Sequence, residues 1–169
     1  DITAYMNMVA ELQGQITAIN KSQAVIEFDL TGKILKANAN FLAATGYSED
    51  EVVGRHHSMF VDAKTRESAA YADFWRKLGR GEYDEGQYQR LGKGGRLIWL
   101  QASYNPIMDA LGQPWRVVKY ASDITAAKAE GDLRGAVAQT RTVVEAAMNH
   151  DLTKRIAVDG LGGDVLALC

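Results

Sequence analysis

A chain of 169 residues, 47% apolar and 24% charged, has room for one hydrophobic core with appendages and little more. Its net charge of -2 and pI near 5.9 supply no broad basic field for a phosphate backbone, which argues against nucleic acid as a main partner. The single cysteine, Cys169, can form neither an internal disulfide nor a thiolate metal cage, and no signal-peptide pattern or membrane-spanning apolar run occurs, so a reducing, cytoplasmic setting is expected.

The first predicted element is a helix over residues 4–22, where Tyr5, Met8, Leu12, Gln15 and Ile19 recur at alternating spacings of 3 and 4 and place one stripe against a partner. The period then changes to that of strands. Ala24 to Asp29, the Thr31-Gly32 turn and Lys33 to Ala37 read as a hairpin. Asn38 or Asn40 can cap a short helix that runs through Thr45 and stops at Gly46, and Ser48 with Glu51 forms a capping box for the next. A longer helix is expected between Thr65 and Gly79, carrying Tyr71, Phe74, Trp75 and Leu78 inward.

From Gly86 the strand pattern returns as Gly86–Leu91, Leu97–Ile107 and Trp115–Ala121, separated by the turn sequences Gly92-Lys93-Gly94-Gly95 and Asp109-Ala110-Leu111-Gly112. The order is therefore two strands, several short helices and a three-stranded antiparallel meander. Beyond Asp123, Leu133, Val137, Thr140, Val144 and Ala147 form a weak coiled-coil seam on an outgoing helix. Asp1-Ile2-Thr3 recurs as Asp123-Ile124-Thr125, each time just before a helix that begins with Ala, so residues 1–3 read as the tail of a preceding copy of the domain.

These residues resemble the PAS family, and in particular the PAS domains of bacterial methyl-accepting chemotaxis proteins and aerotaxis receptors. The resemblance runs from about Ala24 to Thr125 and is carried by Phe41 to Ser48 with Glu51 to Gly54, by Gly54-Arg55-His56-His57-Ser58-Met59-Phe60-Val61, by Tyr71 with Phe74-Trp75, by Lys93-Gly94-Gly95 with Trp99-Leu100, by Tyr104-Asn105-Pro106-Ile107, and by Asp123-Ile124-Thr125. It implies an α+β PAS fold, a five-stranded antiparallel sheet with short helices over one face, flanked by coiled-coil-like helices. The expected layout is a linker helix at 1–22, the PAS domain at 23–125, a signalling helix at 126–150 and a truncated segment similar to HAMP domains at 151–169.

The resemblance also implies a pocket that in relatives holds flavin, haem, a small metabolite or nothing; FAD is the first cofactor to expect here and haem the second. His56 and His57 have the chemistry to ligate haem iron or hydrogen-bond a flavin, with Arg55 beside them for a phosphate or ring oxygen; their structural alternative is a helix cap or surface pair. Trp75 and Trp99 can stack on a planar ring or serve as core, and Asn38 can read a heterocycle edge or cap a helix. Asp123 and Thr125 are the expected relay from the last strand to the outgoing helix. No nucleophile elbow, zincin motif or kinase phosphoacceptor is present, so no enzymatic activity is expected. The implied partners are a second copy of the chain, neighbouring PAS and HAMP domains and, indirectly, a chemotaxis histidine kinase with its coupling protein. The alternative is a ligand-free dimerisation and spacing module.

Overall fold

The computed structural model describes residues 1–148; the HAMP-like stretch from Asp151 onward and His150 lie outside the described residues. Ile2–Ser22 form helix α1, Ala24–Phe28 and Ile34–Ala37 the hairpin strands β1 and β2, and Ala39–Thr45 and Glu49–Val52 the short helices α2 and α3. A 3-10 turn at His57–Phe60 and helix α4 (Ala63–Arg66) lead to α5 (Ala69–Gly79). Strands β3 (Asp84–Leu91), β4 (Leu97–Met108) and β5 (Pro114–Asp123) follow, and α6 spans Thr125–Met148. Residues 1–124 form one compact unit and the chain from Thr125 a second.

The five strands make one antiparallel sheet in the order β2-β1-β5-β4-β3, so the last strand lies at its centre, paired on both sides. Alternation sends one face inward. Ile26 and Phe28 of β1, Ile98, Leu100, Ala102 and Tyr104 of β4, and Val117 and Ala121 of β5 join Phe41 of α2, Val52 of α3, Phe60 and Leu78 of α5 in one core. Each large side chain removed from water there contributes roughly 1.5–3 kcal/mol.

The helix ends follow the local chemistry. Asn38 caps α2, Gly46 ends it in the left-handed region at φ 79°, and Ser48 with Glu51 closes a capping box. Lys93 and the Ser48 cap hold the Glu51 carboxyl down to about 2. The expected helix over 65–79 is two helices. Asp62 accepts from the Thr65 N–H and hydroxyl to start α4, and Ser68 accepts from Tyr71 N–H to start α5, so two side-chain caps break the run between them.

Asn38 does more than cap. Its Oδ1 accepts from the N–H groups of Val25 and Phe41, at 2.9 Å each, while its Nδ2 donates to the Gln23 carbonyl at 2.8 Å and to Asn20. Asn40 Nδ2 donates to the carbonyls of Asn20, Lys21 and Gln23. Together they clasp the end of α1 to β1 and α2. Asn38→Ala strands the Val25 amide and removes the cap, and the expected cost is about 2–4 kcal/mol of unfolding free energy in urea, against about 1 kcal/mol for Asn40→Ala. Equal losses would contradict the clasp.

Candidate functional site: a polar centre inside the sheet's covered face

The interior between α5, the 3-10 turn and the sheet is an aromatic cluster built around one imidazole. His57, fully buried, has Nδ1 2.8 Å from the Tyr71 hydroxyl and Nε2 3.0 Å from the Tyr104 hydroxyl. Phe28, Phe60, Phe74 and Trp75 pack on the same ring with centroids 5.4–6.2 Å away. Burial holds His57 well below its ordinary 6.5, with Arg90 and Lys119 pushing the same way, so the ring is neutral.

Tyr104 is the junction of the network. It accepts from Arg90 Nη2 at 3.2 Å, meets His57 on the same oxygen, and carries the Lys119 ammonium 4.7 Å from its ring centroid. Burial acts to raise the Tyr104 phenol, but the charges of Lys119 and Arg90 prevail and hold it below 10.0. Lys119, 2% exposed, is itself lowered, by burial first and by Arg90, with Tyr104 opposing. Nearby, Asp84 takes the Lys77 ammonium and the Tyr88 hydroxyl, so its carboxylate is committed.

The expected site residues separate into two sets. His57 and Trp75 stand in this centre; the Trp75 indole Nε1 is buried near the Tyr71 hydroxyl, whose acidity it affects, but it meets no partner in hydrogen-bonding geometry. His56 stands outside it, exposed. Its Nε2 donates to the Thr31 carbonyl at 2.8 Å and its Nδ1 accepts from the Ser58 N–H, which makes it the cap of the 3-10 turn. Arg55 is exposed and serves the fold through its carbonyl, which accepts from Ile34 N–H.

Asn38 is occupied by the clasp. Trp99 lies on β4 between Ile98 and Leu100, whose side chains take the inward positions, so it stands outside the buried centre, where it lines a surface cleft with Leu91 and Leu97. Asp123 ends β5 opposite Leu100, Ile124 N–H donates to the Trp99 carbonyl at 2.8 Å, and Thr125 opens α6.

Sequence reasoning singled out neither Arg90 nor Lys119. The signal was strand parity: Lys119 lies midway between the inward Val117 and Ala121, and Arg90 lies two residues from Tyr88 on the inward face of β3.

Neither expected cofactor fits this arrangement. Haem needs an imidazole nitrogen free to meet iron, and all four ring nitrogens of His56 and His57 are engaged within the protein. A flavin needs a flat slot, and the space beside α5 is filled by Phe28, His57, Tyr71, Phe74, Trp75 and Tyr104, with ring centroids 4.9–6.5 Å apart.

A sheet of this order covered on one face by short helices around a buried centre is the architecture of a sensory PAS module. A sequence model of the PAS fold matches residues 34–121, just over half of the 169-residue chain, and the chain belongs to that family. The biofilm dispersion protein BdlA of Pseudomonas aeruginosa is 46% identical over 125 residues, 74% of this chain and 30% of that protein. The aerotaxis receptor of Escherichia coli is 34% identical over 80 residues, 47% of this chain and 16% of the receptor. The chain thus spans less than a third of either of these curated relatives. Among solved structures, a PAS domain from Colwellia psychrerythraea superimposes with TM-score 0.60 at 22% identity, covering 68% of this chain and 98% of that domain. A light-oxygen-voltage domain studied with a flavin analogue gives TM-score 0.56 at 22% identity, over 75% and 96% of the two chains, a likeness of fold.

Proposed function

We propose that the chain senses a chemical state in the cytoplasm with its PAS interior and relays it through α6 to a chemotaxis histidine kinase, as part of a homodimeric receptor and with no enzymatic step of its own. The observation that carries this reading is the path of β5. One strand holds Lys119 in the buried centre, ends four residues later at Asp123, and continues within two residues into α6. A change at Lys119, or at Tyr104 which pairs with it from β4, therefore has a short covalent route along β5 to the helix, with Asp123 and Thr125 as its last strand and first helix positions.

Similarity to the aerotaxis receptor supports the receptor setting. Exposed apolar side chains support the dimer: Ile2, Tyr5, Met8, Leu12, Ile16 and Ile19 of α1 are 38–76% exposed, and Leu133 and Val137 of α6 are 66% and 61% exposed.

Two measurements test it. Sedimentation velocity should show a dimer that Leu12→Asp shifts toward monomer. A spin label at position 138 should report an inter-subunit distance that changes in Asp123→Ala; an unchanged distance would remove the relay role. A second reading, a ligand-free dimerisation and spacing module, draws on the ring-filled interior. It predicts a colourless protein whose absorbance between 300 and 700 nm stays featureless after flavin or haemin is added and removed by gel filtration.

A further inference from the structure

Helix α1 buries none of its residues, and its C-terminal end is fastened by the Asn38 and Asn40 clasp. A helix in a folded protein draws most of its stability from packing an apolar face, so this one calls for a partner. Of its 21 residues only Glu11 and Lys21 are charged, while seven of its large apolar side chains are 38–76% exposed. At roughly 100 Å² each, those seven come close to the ~800 Å² per partner that a stable interface buries.

The arrangement of the apolar residues names that partner. Ile2, Tyr5, Val9, Leu12, Ile16 and Ile19 follow one another at spacings of 3 and 4 in strict alternation, a heptad seam with every position apolar. It shares Tyr5, Leu12 and Ile19 with the stripe expected above and replaces Met8 and Gln15 by Val9 and Ile16. The a positions, Ile2, Val9 and Ile16, are all β-branched, and Leu12 holds the central d position, a choice that favours two parallel strands. The flanking e and g positions carry Met, Gln, Asn and Ser and no charge, so two copies meet there without repulsion. Glu11 and Lys21 fall at the outward c and f positions.

The seam ends against the sheet. Ile16 and Ile19 form one wall of a cleft of about 230 Å³, and Val25, Ile107, Val118 and Tyr120 form the facing wall on the uncovered face of the sheet. Val118 and Tyr120 bracket Lys119 on β5, so this cleft and the polar centre lie on opposite faces of one strand.

We propose that α1 pairs with the α1 of a second copy as a parallel, in-register, two-stranded coiled coil, and that the partner helix closes the cleft over Ile107, Val118 and Tyr120. The site rests on the homodimer of the reading above and names the surface that forms it.

The test uses the whole chain with Cys169→Ser, so that an introduced thiol is the only one. Leu12→Cys should oxidise with copper phenanthroline to a covalent dimer, and Glu11→Cys, on the outward face, should not. Spin labels at positions 3, 10 and 17, all b positions of the heptad, should give equal inter-subunit distances; in an antiparallel pair the axial offset changes by about 21 Å from one to the next. Ile107→Glu, which places a charge in the cleft, should weaken the dimer by about tenfold or more in sedimentation equilibrium, and Leu111→Glu should leave it unchanged. Leu111 is 86% exposed and does not line the cleft. Equal cross-linking at positions 11 and 12, unequal label distances, or a dimer insensitive to Ile107→Glu would overturn the proposal. A dimer that survives Leu12→Asp and is lost in Val137→Asp would overturn it too and leave the homodimer standing on α6, whereas a monomer at every concentration removes both.

Discussion

Between pH 6.5 and pH 5 the protein is expected to lose about 2 kcal/mol of unfolding free energy, and a His57→Gln variant to lose much less over the same interval. The sign follows from proton uptake. His57 in the folded state is held well below 6.5 by burial, with Arg90 and Lys119 adding to it, while the unfolded chain protonates near 6.5. Above that pH both states are neutral at this position and the contribution to stability is fully present. Below it the unfolded state takes up a proton that the native state refuses, so stability falls at about 1.4 kcal/mol per pH unit until the pH reaches the folded value.

Comparison of the two proteins isolates the imidazole. Lys119 and Tyr104 are both lowered but are present in the parent and in His57→Gln alike, and Tyr71 is raised from 10.0, away from this window. The lowered carboxyls of Asp29, Asp62 and Asp84 have their effect below about 4, where acid removes it. His57→Gln should start less stable at pH 7, by about 1–3 kcal/mol, because one of the two tyrosine hydroxyls loses its partner. Urea midpoints taken at half-unit steps of pH, with matched slopes for the two proteins, would show that His57 is not the neutral, buried group of this structure.

How much of this centre was legible beforehand depends on which physical signal each residue leaves in the sequence. Caps and turns leave local ones: Ser48 with Glu51 three residues on, Gly46 after a helical run, and Thr31-Gly32 between two strands each specify a conformation within a few residues, and each appears in the structure. The five strands leave the alternation of apolar residues. A pair such as His56-His57 leaves nothing that tells its members apart. The 3-10 turn sends one imidazole to its own cap and the next into the core, so adjacent identical residues have 25-residue and 47-residue sequence separations to their partners Thr31 and Tyr104. Asn38 shows a different limit. Capping and ligand reading use the same amide, and only the position of α1 decides that Gln23 and Asn20 receive its Nδ2. Lys119 was hidden by its charge, since a lysine between Val118 and Tyr120 reads as a solvent position unless strand parity is given more weight than residue type.

The substitution Gly32→Ala is expected to destabilise the fold by about 2–5 kcal/mol, more than any other single methyl addition at a glycine of the hairpin and turn segments. Two costs combine at this residue. Its φ is +90°, a region that side-chain-bearing residues enter at roughly 1–2 kcal/mol. A Cβ there would also lie 2.7 Å from His56 Nε2 and 2.9 Å from the Trp75 ring, an overpacking that adds about 1–3 kcal/mol. Gly54→Ala isolates the first cost, because Gly54 has φ +81° and open space around its α carbon. The difference between the two variants in urea therefore measures how firmly Trp75 and His56 are seated on the β1–β2 turn, and a difference near zero would mean that they are not. The same contact joins the turn to the centre: Gly32 accepts from His57 N–H at 2.8 Å, and Trp75 packs edge-on to the His57 ring at 5.4 Å. An alanine at Gly32 must push Trp75 toward His57 or lift the 3-10 turn from the hairpin. Either displacement opens the Tyr71–His57–Tyr104 chain to water, so Gly32→Ala should also flatten the acid dependence between pH 6.5 and pH 5, a result that Gly54→Ala should not share.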